Sequence, residues 1–144
     1  MKVCDSTEFR GLQHSFIGDA EIGGDCTIHS HVWIGDGVKI GDRCKVQAFA
    51  YIPPGVVIGD NVFIGPRVTF LNDKYPPAKD FKPLVTRIEE GVSIGGGAVI
   101  LPGITLSKWC RVGAGAVVTK SVPPGVTVVG NPAKPLQEKN WQEA

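Results

Sequence analysis

Apolar residues recur at every sixth position along most of this chain. A first series covers ten successive positions, and after a break a second series covers six. The first series is Phe16, Ile22, Ile28, Ile34, Ile40, Val46, Ile52, Ile58, Ile64 and Phe70, and the second is Ile88, Ile94, Ile100, Leu106, Val112 and Val118. Small or β-branched apolar residues stand two places before almost all of these positions, as at Val32, Cys44 and Ala50. The pattern indicates an internal hexapeptide repeat.

A period of six does not fit one face of an α-helix, but it fits the alternation of a β-strand. Residues i−2 and i then point to the same side, and the next residues, often Gly-Asp or Gly-Gly, turn a corner on a permissive backbone. Three such units form a coil of about 18 residues that stacks on the next coil by parallel pairing. The sequence therefore predicts an all-β parallel β-helix, one domain over residues 1–144 with coils at about 15–70 and 88–118. A meander of antiparallel strands would not need a fixed period.

Three segments lie outside the repeat. Residues 1–14 are expected to be irregular and to cover the open edge of the first coil. Residues 71–87 contain three prolines and six charged residues and form a protruding loop that either replaces a coil or is inserted at a corner. Residues 119–144 leave the repeat at a Pro-Pro-Gly turn, with an extended segment at 126–129 and a tail that could form a short helix.

Residues 18 positions apart should stack in columns along the coils. Polar and aromatic residues gather at one edge in the first block: His31, Phe49 and Arg67 share a corner, His29 and Gln47 share the column before it, and Trp33, Tyr51 and Thr69 share the outward column beside it. Such an edge suits recognition of a nucleotide or sugar, or a subunit interface, and the two uses are compatible.

The second block has a corner with almost no side chains. Gly95 stacks with Gly113, Gly97 stacks with Gly115, and Gly96 lies under Ala114. An extended ligand could approach the backbone closely there. The alternative is that corner geometry alone requires these glycines, although other corners of the repeat use Asp, Arg or Pro.

Composition narrows the function further. The net charge of +1 does not favour a general nucleic-acid or membrane-surface binder, and no stretch has the length of a signal peptide or a membrane span. Three of the four cysteines, Cys26, Cys44 and Cys110, fall at inward positions, as expected of small buried residues in a reducing compartment. We therefore expect a cytoplasmic protein.

Three stretches carry a resemblance to a known family: VFIGPRVTFLND at 62–73, the glycine-rich run at 93–125, and VVGNPAKP at 128–135. Together they resemble the hexapeptide-repeat acyltransferases, in the branch of nucleotide-sugar N-acetyltransferases. The resemblance implies a left-handed parallel β-helix and a homotrimer with active sites between neighbouring subunits. It also implies transfer of an acetyl group from acetyl-CoA to the amine of a UDP- or dTDP-amino-hexose, for surface polysaccharide synthesis.

The resemblance also assigns roles to residues. Acetyl-CoA would lie along the second block, and Lys120 and Lys134 would meet its phosphates unless they are solvated surface charges. Asn72 would position the sugar amine, and Asp73 would orient the substrate or take a proton, unless the pair only forms a turn. Backbone contacts to acetyl-CoA would come from Gly95, Gly97, Gly113, Ala114 and Gly115, and acceptor contacts from His31, Gln47 and Arg67.

The distribution of histidines favours an amine as the acceptor. An alcohol must lose its proton during attack, and hydroxyl-acetylating relatives carry a His after the loop Asn. Here His14, His29 and His31 all precede the loop, and an amine can lose its proton to water beforehand. Related enzymes often have an Asn pair where this chain has Ala48-Phe49, which leaves the nucleotide and the sugar isomer open.

Three other functions remain to be weighed. An O-acetyltransferase of a small hydroxyl acceptor and a non-catalytic scaffold subunit would share the repeat. A γ-class carbonic anhydrase would need three imidazoles for zinc, whereas His29 and His31 share one corner with no third His following. We therefore expect no metal.

Overall fold

Twenty short β-strands form three parallel sheets in the computed structural model, which describes residues 1–137. Numbered in chain order, sheet A contains β1 (Lys2–Val3), β4 (Glu21–Ile22), β7 (Lys39–Ile40), β10 (Val56–Ile58), β13 (Thr86–Ile88) and β16 (Thr105–Leu106). Sheet B contains β2 (Glu8–Phe9), β5 (Thr27–Ile28), β8 (Lys45–Val46), β11 (Phe63–Ile64), β14 (Ser93–Ile94), β17 (Arg111–Val112), β19 (Thr127–Val129) and β20 (Lys134–Pro135). Sheet C contains β3 (Phe16–Ile17), β6 (Trp33–Ile34), β9 (Tyr51–Ile52), β12 (Thr69–Phe70), β15 (Val99–Ile100) and β18 (Val117–Val118).

The chain visits sheets A, B and C in turn and so winds a three-sided prism. Neighbouring strands within each sheet pair in parallel, except for the antiparallel pair of β19 and β20. We name the edges of the prism the AB, BC and CA corners, after the sheets that meet there. The predicted parallel β-helix is confirmed, and the architecture is consistent with the left-handed form.

The core is one column of apolar side chains along the prism axis. Except for Phe16, every position of the two hexapeptide series is buried, together with the residues two places earlier in each unit. Phe70 is the largest of the fully buried side chains. Thr86 is the buried polar residue of this set, and its hydroxyl accepts a hydrogen bond of 3.1 Å from the Gly103 N–H.

The loop is inserted at the CA corner. Ile58 pairs with Ile88, thirty residues further on, whereas Ile40 and Ile58 in the coil before are separated by the regular eighteen. The insertion thus adds two hexapeptide lengths between β12 and β13 without replacing a coil. This explains why the phase of the repeat survives the break.

Three expectations about the flanking segments were wrong. Residues 1–14 are not irregular, because β1 and β2 pair with β4 and β5 as strands of the first coil. Phe16 points outward and is 51% exposed, because the inward residue of β3 is Ile17. The chain also stays in the repeat after residue 119, since Val122 bridges to Leu106 and β19 pairs with β17. The predicted C-terminal helix falls largely outside the described residues.

Candidate active site

The BC corner carries one continuous column of residues through the coils. Each member lies three places after the inward residue of a sheet B strand, in the left-handed backbone region. From Phe49 onward, the N–H of each member donates to a carbonyl of the coil before. The column consists of His31, Phe49, Arg67, Gly97 and Gly115, with φ between 58° and 73°. The predicted aromatic column and the predicted glycine corner therefore form a single edge on both sides of the loop.

The first half of this column is a stack of planar groups. The ring centroids of His14 and His31 are 5.2 Å apart with an interplanar angle of 6°, and those of His31 and Phe49 are 4.8 Å apart at 18°. The Cζ atom of Arg67 lies 4.8 Å from the Phe49 centroid, in cation–π geometry. The stacking predicted for His31, Phe49 and Arg67 is confirmed.

The second half of the column is bare. A Cβ atom on Gly97 or Gly115 would meet no atom within 4 Å, so neither glycine is required by packing. Positive φ favours glycine at both positions, but the turn tolerates a side chain, because His31, Phe49 and Arg67 adopt similar angles in the same column. By contrast, a Cβ on Gly95 would lie 2.5 Å from the Ala114 nitrogen, and one on Gly113 would lie 2.7 Å from a methyl group of Val129. Gly95 and Gly113 are thus explained by coil packing.

Two backbone N–H groups at this corner differ from their neighbours in having no hydrogen-bond acceptor in the described part of the chain. The N–H groups of Gly95, Gly97, Gly113 and Gly115 all donate to other coils. Within residues 1–137, the N–H groups of Gly96 and Ala114 have no acceptor. The corresponding N–H groups at the AB corner, as at Gly24, donate to Asp side chains of the next coil. The residue that would accept from Gly96 in this way is Ala114, eighteen places on, which has no acceptor in its side chain. This signal could have singled out Gly96.

Asn72 and Asp73 lie at the CA corner, at the opposite end of β12 from Arg67. The Asn72 side-chain N–H donates to the Pro54 carbonyl at 3.1 Å, and its amide oxygen accepts no hydrogen bond within residues 1–137. The Asp73 carboxylate accepts from the N–H groups of Tyr75 and Ala78 at 3.2 and 3.0 Å. Asn72 thus presents a free oxygen, whereas Asp73 holds the start of the loop.

The loop returns to the prism along the same CA corner. The side chain of Leu84 lies against Gly103, and the Thr86 N–H donates to the Gly55 carbonyl at 2.9 Å. Several large apolar side chains of the loop are exposed, namely Tyr75, Phe81, Leu84 and Val85. The loop therefore offers an apolar surface beside Asn72.

The other candidate residues are distributed over two corners. Gln47 lies beside the BC column, and its N–H donates to Ile64. Lys134 lies in β20 at the end of sheet B, just after a turn whose Ala133 N–H donates to Val117 of sheet C. Lys120 follows β18 and lies at the CA corner, apart from the bare glycines. Both lysines are exposed.

A second aromatic stack runs along the outer face of sheet C. The ring centroids of Phe16 and Trp33 are 5.0 Å apart, and those of Trp33 and Tyr51 are 5.1 Å apart. The column of Trp33, Tyr51 and Thr69 is confirmed by strand pairing, but Phe16 was missed as its first member. Gly18 could have indicated this, because corner glycines directly follow an inward residue and Gly18 directly follows Ile17.

At the BC corner, His31 and Arg67 are exposed and His29 is half-buried. No group of three or more His, Cys, Asp or Glu side chains within residues 1–137 is arranged to hold a metal ion. Burial raises the pKa of the Cys110 thiol to about 11, and the neighbouring Cys26 thiol together with burial raises the pKa of Cys44. Cys26, Cys44 and Cys110 are free and buried, as predicted.

No helix in the described part of the chain has the length and apolarity needed to cross a bilayer.

Family comparisons agree with this architecture. The bacterial transferase hexapeptide (six repeats) family matches residues 37–72 and 86–120, and the hexapeptide repeat of succinyl-transferase matches residues 19–53. Together these matches cover more than half of the chain. The chain belongs to the hexapeptide-repeat transferases. The matched ranges of this hexapeptide-repeat transferase leave out most of the inserted loop, which is the part that departs from the repeat.

Individual relatives are similar over parts of their length. The tetrahydropyridine-dicarboxylate N-acetyltransferase of Staphylococcus aureus is 40% identical over 78 residues, 54% of this chain and 31% of that protein. The structure of WeeI from Acinetobacter baumannii AYE is 33% identical with a TM-score of 0.72, covering 92% of this chain and 56% of that one. The acetyltransferase domain of PglB from Neisseria gonorrhoeae, in complex with acetyl coenzyme A, is 25% identical with a TM-score of 0.70, covering 93% and 56%. The hexapeptide-repeat transferase thus spans about a third of its curated relative and about half of these structures.

Proposed function

We propose that this hexapeptide-repeat transferase moves an acetyl group from acetyl-CoA to the amine of a nucleotide-linked amino sugar, for the synthesis of surface polysaccharide. The bare half of the BC corner carries the proposal, because packing does not require Gly97 or Gly115 and three other members of the column carry side chains at similar φ. The similar acetyltransferase domain of PglB, which binds acetyl coenzyme A, supports the donor. The S. aureus relative, an N-acetyltransferase, supports an amine as the acceptor.

The backbone of the second block fits the donor. Its thioester supplies the activated acetyl group when bound. The free N–H groups of Gly96 and Ala114 are suited to donate to a carbonyl or to the negative charge that develops on the thioester oxygen during attack. The open space at Gly97 and Gly115 lets an extended chain lie against the corner. Lys134, at the adjoining end of sheet B, is our candidate for a phosphate contact, because Lys120 lies at the CA corner, apart from the bare glycines.

Asn72 is the candidate for positioning the acceptor amine. Its side-chain N–H is fixed on the Pro54 carbonyl, so its amide oxygen is held in a defined place and is free to accept from an amine. Asp73 is better suited to shaping the loop, because both of its oxygens already accept from loop N–H groups. No strong base is required if the amine loses its proton to water before attack.

The aromatic stack on sheet C supports the proposed homotrimer. Phe16, Trp33 and Tyr51 expose 51%, 38% and 38% of their surfaces in one column. Exposed aromatic ladders of this kind are typical of interfaces. The column lies between the BC corner and the CA corner, which carry the two halves of the proposed site. Packing of subunits along this face would bring a BC corner of one protomer towards the CA corner of its neighbour.

Release of CoA tests the activity. Purified protein with acetyl-CoA should release CoA, detected with a thiol reagent, when a UDP- or dTDP-amino-hexose is added. A Cys4→Ala variant should be used, because Cys4 is the exposed thiol among the four. Equal turnover with the hydroxyl analogue of the sugar would favour the O-acetyltransferase alternative.

A binding measurement separates the enzyme from a scaffold. Saturating CoA should raise the midpoint of thermal unfolding, because a ligand that binds the native state stabilises it. The absence of a shift would favour a non-catalytic subunit. Asn72→Ala should lower turnover by about tenfold or more and leave this shift unchanged, as expected for one lost hydrogen bond near the reacting amine.

A further inference from the structure

The BC corner lacks acidic residues through five successive coils. Its corner triplets are His29–His31, Gln47–Phe49, Gly65–Arg67, Gly95–Gly97 and Gly113–Gly115, and none contains Asp or Glu. In the same five coils, the AB corner carries acids in four, at Asp25, Asp42, Asp60 and Glu89-Glu90. Arg67 therefore stands at an edge where no fixed carboxylate of the corner competes for it.

Arg67 has no ionic partner within residues 1–137. Arg10 pairs with Glu8, and Arg43 donates to Asn61 and lies 3.9 Å from Asp60. Arg43 is a close counterpart, because it occupies the equivalent position of the AB corner, with φ of 56° against 59° for Arg67. The difference between the two arginines is thus their surroundings and not their backbone.

The guanidinium of Arg67 nevertheless packs over an aromatic ring, with its Cζ 4.8 Å from the Phe49 centroid. One face lies on the Phe49 ring, which stacks on His31 and through it on His14. The next position of the column is Gly97, which leaves the space beyond Arg67 open. Because the guanidinium already packs on this ring, less side-chain entropy is lost when its forked donors bind an anion.

We propose that Arg67, oriented by Phe49, binds a diphosphate group at the BC corner. A guanidinium binds two phosphate oxygens at once, and the free N–H of Gly96 on the next coil adds a backbone donor of the kind that lines anion sites. The inference rests on the proposed function, which supplies two sources of a diphosphate: the nucleotide of the acceptor and CoA. Phe49, which stands where related enzymes often have Asn, acts as the positioning residue.

Titration calorimetry of the full chain with UDP, dTDP, CoA and inorganic pyrophosphate tests this site. Arg67→Gln should weaken binding of the relevant diphosphate by about 10- to 100-fold, the usual range for a charged hydrogen-bonded contact. Arg67→Lys should lose less, because it keeps the charge without the fork. Phe49→Leu should also weaken binding with the arginine intact. Arg43→Gln is the matched control and should bind like the wild type. The thermal midpoints of all variants should stay within a few degrees, since these side chains are exposed.

Each outcome decides something. Selective loss of UDP or dTDP binding supports the proposal and assigns the site to the acceptor, while selective loss of CoA binding supports it and assigns the site to the donor. Unchanged binding of all four probes in Arg67→Gln overturns the proposal, even if the protein acetylates amines. Failure of the wild type to bind any of the four overturns it as well. If the wild type transfers acetyl groups and Arg67→Gln binds all four probes like the wild type, the proposed function is retained and the diphosphate site is rejected.

Discussion

At the BC corner, Gly95 allows the coils to pack closely, whereas Gly97 leaves open space for a ligand. A substitution at Gly97 tests the second role. Gly97→Phe should extend the stack of His31, Phe49 and Arg67 by one ring and fill the space proposed for the donor. We expect CoA to lose its effect on the thermal midpoint, while the fold survives, because Phe49 already adopts φ of 66° in this column. The left-handed conformation should cost about 1–2 kcal/mol of stability.

Gly37→Phe is the matched control for that cost. Gly37 has φ of 78°, and a Cβ there also meets nothing within 4 Å, but it lies at the CA corner away from the stack. It should show the same loss of stability and an unchanged response to CoA. Equal CoA binding by both variants would show that the bare corner is not a donor site.

The Cys110 thiol gives a second prediction at this scale, for stability against pH. Its pKa rises on folding from 9.0 to about 11, so the folded protein favours the protonated thiol. The stabilisation is therefore complete below pH 9 and is lost as the pH rises through about 11. The free energy of unfolding, measured in urea from pH 8 to 11, should fall less steeply in Cys110→Ala than in the wild type. Cys4→Ala, an exposed position, should keep the wild-type slope.

At the level of elements, the hexapeptide period predicted nearly every strand, because each inward residue is buried by the coils above and below it. The failures have local causes. The repeat between β3 and β4 is one residue short, so Ile17 and not Phe16 points inward. Lys2–Val3 and Glu8–Phe9 pair as strands although their apolar residues do not continue the hexapeptide series. The corner that holds the loop could not be predicted, because an insertion of two hexapeptide lengths preserves the phase at any corner.

Because the loop adds two hexapeptide lengths, its deletion should leave the phase of the repeat unchanged. Deleting residues 73–84 leaves Ile88 six places after Phe70, and Val85→Gly then restores the corner glycine found at Gly55 and Gly103. We expect the shortened protein to keep the circular dichroism of the β-helix and its CoA-dependent thermal shift. Acetyl transfer should be lost with the loop surface beside Asn72. A shortened protein that unfolds would show that the loop stabilises the coils through contacts such as Leu84 on Gly103.

For the whole molecule, stacking by eighteen correctly grouped His31, Phe49 and Arg67, because strand register determines which residues are neighbours. The sequence did not separate Gly97 from Gly95, since both are corner glycines and only the coil packing shows that one is filled and the other open. It also did not reveal that Asn72 and the bare glycines belong to different corners. That separation bears directly on assembly.

A site split over two corners can be completed by two subunits, and mixing two impaired variants tests this. Arg67→Gln damages the BC corner and Asn72→Ala the CA corner. If one subunit supplies Arg67 and its neighbour supplies Asn72, randomly mixed trimers contain intact sites at about a quarter of their interfaces. Co-refolded protein should then regain about a quarter of the wild-type rate, whereas a site within one subunit would stay damaged in every chain.

Trp33→Glu, on the sheet C stack, should prevent both assembly, as measured by light scattering, and this recovery of activity. Phe63→Glu, an exposed aromatic residue on sheet B, is its control and should still assemble.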